Sequence, residues 1–304
     1  MKILVTGGTT FVSRYTARWF AAKGHEVYAL NRGSKPQEPG VRHICADRRG
    51  DLHKALCGMH FNAVLDICAY TGEDVSNLLA SVEAFDDYIL ISSSAVYPES
   101  NDQPFREDQP VGPNTIWGKY GTDKIAAEQA ARTIYPKSYI LRPPYIYGPM
   151  QNIYREPFVF DCALKKRPFF LPKDGEMQLQ FFHVEDLCRV IESILLTHPN
   201  QHIINVGNEE CIRIREFVRL CYDIAGAPLV YEHIYQTIPQ RSYFPFHDYE
   251  YRLDVTTQRQ LLKNTIPITE GLKDSFAWYI EHPNDVLRKD YIKFIDENLI
   301  KTDQ

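Results

Sequence analysis

Tyr120 and Lys124 stand four residues apart in the stretch WGKYGTDK. On a helix that spacing sets a phenol and an ammonium side by side on one face. A cation this close favours the phenolate and lowers the pKa of an otherwise weak acid. Such a tyrosine could move protons near neutral pH, provided the surrounding elements bring it something to react with.

The first of those elements is at the N-terminus. Lys2–Thr6 is a short apolar run closed by Gly7-Gly8, and Phe11 to Lys23 carries apolar residues at helical spacing. Strand, glycine turn and helix open a dinucleotide-binding unit: the glycines let the backbone approach a pyrophosphate, and the helix N-terminus offers free N–H groups. The loop reads TGGTTFVS, with Thr10 and Ser13 where the second and third spaced glycines would stand. A second strand, Glu26–Leu30, is followed by Asn31-Arg32. An acidic residue about twenty positions after such a turn binds a ribose 2′-hydroxyl, whereas an arginine accommodates a 2′-phosphate. Asn31 with Arg32 therefore leans the reading towards NADP over NAD, against a solvated basic turn as the plain alternative.

Further apolar runs at His43–Ala46 and Asn62–Ile67 read as strands, and residues 74–84 as a helix. In an open parallel sheet, ligands collect at the carboxyl ends of the strands, which places Asp47, Arg48, Ile67, Cys68 and Ala69 along a cofactor crevice. The run YILISSSAVYP, residues 88–98, is an apolar strand ending in three serines at that same edge. After a polar loop, the Tyr120/Lys124 helix runs to about Ile134, and a strand at Ser138–Arg142 stops at Pro143-Pro144, where the chain must turn. The first, nucleotide-binding region is expected to span 1–150. Residues 151–304 are less regular, with strands at Phe169–Leu171, Gln178–His183 and His202–Val206 and helices over 155–167, 184–196, 215–225, 271–282 and 285–298. The strand at 202–206 is expected to return to the main sheet. The fold class is α/β, a doubly wound Rossmann-type parallel sheet with a smaller mixed α/β C-terminal region for substrate.

Composition sets bounds on function. The chain has 304 residues, 44% hydrophobic and 24% charged, as in a soluble globular protein, and its net charge of −5 gives no sign of a nucleic-acid surface. The sequence enters MKILVTGG directly, and its first apolar run is too short for a signal peptide or membrane span, so a cytoplasmic protein without membrane partners is expected. The seven cysteines are scattered without a CxxC pair and read as reduced, mostly buried residues, with no metal site expected.

Taken together, these segments resemble the extended short-chain dehydrogenase/reductase family, which includes nucleotide-sugar epimerases and dehydratases. TGGTTFVS is similar to its TGxxGFxG loop, SSSAVY to SSxxVYG, WGKYGTDK contains its YxxxK, and LRPPYIYGP is similar to LRPxxIYGP. FFHVEDL, INVGN and EGLKDSFAWY resemble its later motifs. The resemblance implies that Tyr120 exchanges a proton with a substrate hydroxyl while hydride moves at a nicotinamide. Lys124 would hold the nicotinamide ribose, and Ser93, with Ser94 as the alternative, the reacting oxygen. It also implies cofactor contacts from Gly7, Thr10, Phe11, Val12, Ser92 and Pro143, and a nucleotide sugar or related polyhydroxylated substrate. A homodimer through the Tyr120 helix is compatible with the small residues of 115–135.

Departures from the pattern qualify the substrate. Asp66 replaces a common histidine, and Leu179 stands where sugar-nucleotide enzymes often carry a diphosphate-binding arginine. Arg252 is the remaining candidate for an anionic substrate group, with His183 and Arg241 behind it. The GGTxF loop resembles the atypical branch that includes chloroplast stem-loop-binding proteins, so an RNA-binding or regulatory protein is the alternative reading.

Overall fold

The computed structural model describes residues Met1–Ile300. In chain order the elements are β1 (Lys2–Thr6), α1 (Phe11–Ala22), β2 (Glu26–Asn31), β3 (Val41–Cys45), α2 (His53–Leu56), β4 (His60–Asp66), α3 (Gly72–Ser81), β5 (Ala84–Ile91), α4 (Lys119–Ile134), β6 (Tyr139–Arg142), β7 (Tyr145–Tyr147), α5 (Glu156–Leu164) and β8 (Phe169–Pro172). They continue with β9 (Gln178–Leu179), β10 (Phe181–His183), α6 (Val184–Thr197), β11 (Ile203–Asn205), β12 (Ile212–Arg213), α7 (Ile214–Ile224), β13 (Tyr231–Ile234), α8 (Thr256–Leu261), α9 (Ile268–Glu281) and α10 (Tyr291–Asn298). The chain divides into two compact units.

The first unit comprises Met1–Ile146, Phe181–Glu209 and Arg252–Ile266. Its seven-stranded sheet has the order β11-β6-β5-β4-β1-β2-β3, with every neighbouring pair parallel. Strands β2 and β3 lie to one side of β1, and β4, β5, β6 and β11 follow on the other, so the winding reverses between β1 and β4. Ligand crevices of open α/β sheets form at such a reversal, beyond the carboxyl ends of the strands. The expected return of 202–206 to this sheet is met by β11, which pairs with β6.

Strand alternation splits the core into two layers. Ile3 and Val5 of β1 face a cluster with Phe20 of α1 and Ile191 and Ile194 of α6. Leu4 faces the opposite cluster, with Val75 and Leu78 of α3 and Ala127 and Ala131 of α4. Burying each large aliphatic or aromatic side chain contributes about 1.5–3 kcal/mol before entropy is set against it. Both faces of β1 are covered, which is why it reads as a continuous apolar run instead of alternating.

The second unit comprises Tyr147–Gln180, Glu210–Tyr251 and the chain from Pro267 onward. Here β8 pairs with β13 in parallel, β9 pairs with β12 in antiparallel fashion, and α5, α7 and α9 pack together. Asp161 on α5 accepts hydrogen bonds from Tyr154 (2.6 Å), Tyr279 (2.5 Å) and Arg288 (3.3 Å), tying α5 to α9 and to the segment before α10.

Three expectations are corrected. The strand over 178–183 is divided at Gln180, where the chain leaves the second unit and re-enters the first. The final helix begins at Tyr291, not at 285, because the Leu287 amide is donated to the Asn152 carbonyl (2.8 Å) in a bridge between Ile153 and Leu287 that a helix would not permit. The cysteines are not mostly buried: Cys162, Cys188 and Cys221 are, Cys68 and Cys211 are partly covered, and Cys45 and Cys57 are exposed.

Candidate active site

The turn after β1 is built for close packing. Gly7 and Gly8 have φ of 91° and 83°, and a Cβ at Gly7 would lie 2.5 Å from Cys68 Sγ and 2.7 Å from Ser13 Oγ. Ser13, in the place of a glycine, folds its hydroxyl back onto the Thr10 carbonyl (2.9 Å). Thr10 is the extended N-cap of α1 and makes no side-chain cap, while Phe11 and Val12 begin the helix. The leading N–H groups of α1 are therefore left by Thr10 for an acceptor from outside the helix, the condition that favours an anion there. Asn31 closes the turn from β2: its amide is donated to the Gly7 carbonyl (2.7 Å) and to Gln37 (2.9 Å). Arg32 beside it is exposed.

Thr6 locks the ends of β1 and β4. Its hydroxyl is donated to Asp66 (2.8 Å) and accepts from the amides of Ile67 (3.0 Å) and Cys68 (3.1 Å). Asp66 is fully buried and also takes Tyr88 OH (2.9 Å) and both terminal nitrogens of Arg48 (3.0 and 3.2 Å). Burial opposes the Arg48 charge, and the Asp66 carboxylate more than offsets it, so its pKa is raised. The guanidinium is thus committed to Asp66 and to the Asp74 carbonyl (2.9 Å), while Asp47 is exposed and caps the Arg49 amide (3.0 Å).

The three serines after β5 point to different partners. Ser92 is buried and donates to Glu128 on α4 (2.5 Å), whose carboxylate is clamped by Arg142 at 2.9 and 2.6 Å. Ser93 is half-buried and caps a short turn at Ser94–Val96, its Oγ accepting from the Ala95 amide (3.2 Å). Ser94 is buried, and its amide is donated to the Pro143 carbonyl (2.9 Å).

Helix α4 carries Tyr120 in its first turn and buries Gly121, Lys124, Ala127, Glu128 and Ala131 at helical spacing. Tyr120 is 40% exposed, whereas Lys124 is 3% exposed. The Lys124 ammonium is donated to the carbonyls of Ala69 (2.7 Å) and Ile91 (2.8 Å) and lies 5.2 Å from the Tyr70 ring centre. Burial pushes its pKa down to about 8, against the opposing pull of Asp66. Gly121 is the residue that spacing alone does not reveal: a Cβ there would meet the Ala95 carbonyl oxygen at 2.5 Å. The signal was a glycine in a first helical turn, where it costs about 1 kcal/mol relative to alanine unless a close approach requires it.

The more distant candidates have other roles in the geometry. His183 is the buried N-cap of α6, its Nδ1 accepting from the Glu185 amide (3.3 Å), and burial lowers its pKa to about 4, so the ring is neutral. Arg252 is exposed and its backbone pairs with the loop 103–105, accepting from Phe105 (2.8 Å) and donating to Gln103 (2.8 Å).

A parallel sheet that reverses between β1 and β4, with a glycine turn and helix N-terminus at that point, defines a Rossmann-type nucleotide-binding protein. Residues 3–207 match the NAD dependent epimerase/dehydratase family, and the chain belongs to it. The chloroplast stem-loop binding protein of 41 kDa b of Arabidopsis thaliana is 27% identical over 300 residues, covering 90% of this chain and 78% of the relative. A UDP-glucose 4-epimerase of Neisseria meningitidis serogroup B is 23% identical over 343 residues, covering 93% of this chain and 98% of that one. Among solved structures, a UDP-glucuronic acid 4-epimerase from Bacillus cereus in complex with NAD superposes with a TM-score of 0.74 at 21% identity, covering 92% of this chain and 99% of that one. No helix among the described residues is long and apolar enough to cross a membrane.

Proposed function

We propose that this protein is an enzyme that binds NAD and epimerises, dehydrates or reduces a nucleotide sugar. The observation that carries the reading is the seat of Lys124, drawn by the carbonyls of Ala69 and Ile91 to the ends of β4 and β5 one helical turn from Tyr120. A pure binding protein has no use for a buried ammonium one helical turn from a phenol.

The residues fit the cofactor. The cramped Gly7 turn leaves no room for a side chain, and the uncapped start of α1, with Thr10, Phe11 and Val12, offers N–H groups to a pyrophosphate. Asn31 ends β2 and Arg32 follows it at the ribose side, and Ile67, Cys68, Ala69, Ser92 and Pro143 belong to the strand ends around the same crevice. Asp47 and Arg48 lie after β3, with Arg48 acting through Asp66. NAD, when bound, supplies a hydride acceptor and donor.

The chain's own residues handle the proton. The Tyr120 phenol takes or gives it at the reacting hydroxyl oxygen of the sugar. Lys124, charged below about pH 8, favours the phenolate. Ser93 is the serine for the substrate oxygen, because its Oγ already accepts from Ala95 and its O–H remains to donate, whereas the Ser92 hydroxyl is taken by Glu128. Ser94, His183 and Arg252, all of the first unit, are further substrate contacts. A cytoplasmic homodimer is the corresponding assembly, which light scattering tests.

Mass spectrometry and absorbance of the purified protein test the cofactor, and incubation with UDP-glucose, UDP-glucuronic acid and dTDP-glucose tests the chemistry. Bound or binding NAD together with conversion of one nucleotide sugar supports the reading. Salt-sensitive RNA affinity without either would instead favour the binding-protein alternative.

A further inference from the structure

The geometry points to a zinc site formed by His53, Cys57 and Glu83, which we propose as a second ligand site of the first unit. His53 opens α2 and Cys57 follows its last residue, one turn on: the Cys57 amide is donated to the His53 carbonyl (2.8 Å), which brings the two residues together. Glu83 comes from a different part of the chain. The register that pairs His60 with Ala84 at the start of β4 and β5 sets Glu83 beside the turn at Cys57–Met59. There the Gly58 amide is donated to Glu83 Oε2 (3.1 Å), and Gly58 has φ of 70°, a conformation that other residues rarely adopt.

The three ligand atoms lie within 4.8 Å of one another, with His53 Nε2 and Glu83 Oε1 3.9 Å apart. Bond lengths of about 2.0–2.3 Å around tetrahedral zinc put ligand atoms roughly 3.3–3.8 Å apart. All three side chains are exposed, so small rotamer changes close that gap and an ion has an open path to them. The donor set chooses the metal. An imidazole, a thiolate and one carboxylate suit borderline-soft Zn²⁺, whereas Ca²⁺ and Mg²⁺ require oxygen ligands throughout. Three protein ligands leave the fourth position to water.

The site lies at the amino ends of β4 and β5, while Lys124 and Ser93 lie at the carboxyl ends. A metal here clips the four-residue α2 to the amino ends of β4 and β5 and takes no part in the proposed reaction.

Titration of chelator-treated full-length protein with Co²⁺ tests the site. The expected result is one Co²⁺ per chain with a thiolate-to-cobalt charge-transfer band, release of about one proton, and a higher melting temperature with Zn²⁺. Cys57→Ser should abolish the band, and His53→Ala and Glu83→Gln should each weaken binding at least tenfold. Because these side chains are exposed, metal-free melting curves of the variants should match the parent. Absence of a stoichiometric ion, or a band that persists in Cys57→Ser, overturns the assignment, whichever way the nucleotide-sugar assays fall.

Discussion

Gly121 of α4 lies against the Ala95 carbonyl so closely that a methyl group on its Cα would sit 2.5 Å from that oxygen. This contact fixes the distance between the helix bearing Tyr120 and Lys124 and the turn capped by Ser93. Helix propensity alone would make Gly121→Ala stabilising by about 0.5–1 kcal/mol. The clash with backbone reverses that sign, and either α4 or the turn must move. We expect Gly121→Ala to fold with an unchanged circular dichroism spectrum and to lose at least tenfold in turnover, since sub-ångström placement governs proton transfer. Full turnover in this variant would remove the contact from the account.

Tyr120→Phe deletes one oxygen from a half-exposed ring and leaves the packing of α4 intact. General acid–base catalysis contributes about 10²–10⁴-fold, and a loss of that size in turnover is expected. Cofactor binding, followed by fluorescence titration with NADH, should change little.

Lys124 predicts an alkaline limit. Burial brings its pKa to about 8, so it is charged at pH 7 and loses its proton as the pH rises through that value. The phenolate then loses its neighbouring cation. We expect kcat/KM, which reports the free enzyme, to fall on the alkaline side with a midpoint near the Lys124 pKa. A rate that continues to rise well above that midpoint would show that the Lys124 charge is not needed.

Glu156 predicts a pH-dependent stability in the second unit. It is fully buried at the first position of α5, and both carboxylate oxygens lack a well-formed hydrogen bond among the described residues. Burial raises its pKa from 4.5 to about 7. Between those values the folded chain binds the proton more tightly than the unfolded chain, so stability falls as pH rises through the window and levels off above it. Glu156→Gln should therefore stabilise the protein at pH 8 by on the order of 3 kcal/mol, with the gain shrinking towards pH 4.5. Equal melting-temperature shifts at pH 5 and pH 8 would contradict this origin.

Local pattern was enough for much of the fold. The β1-turn-α1 start, the helix at Tyr120 and the strand ending at the serines all lie within short windows, where side-chain period and glycine or proline geometry act directly. Expectations failed where distant chain took over, as at Leu287, whose amide pairs with Asn152 and so delays α10.

What the sequence by itself determined was a set of local arrangements: a tyrosine and lysine one turn apart, three serines at a strand end and a double-glycine turn. Their spacing permits proton transfer beside a nucleotide, and the family resemblance implies which reaction that serves. Which side chain meets which partner was decided by tertiary structure. Ser92 turns to Glu128 and Ser93 does not, Arg48 is bound to Asp66, and Glu83 meets Cys57 across a parallel strand pair. These partners are separated along the chain by the crossovers of a parallel sheet, and no local period encodes which strands become neighbours. The order of the sheet sets those distances, and with them the proton affinity of Lys124 and the placement of Tyr120.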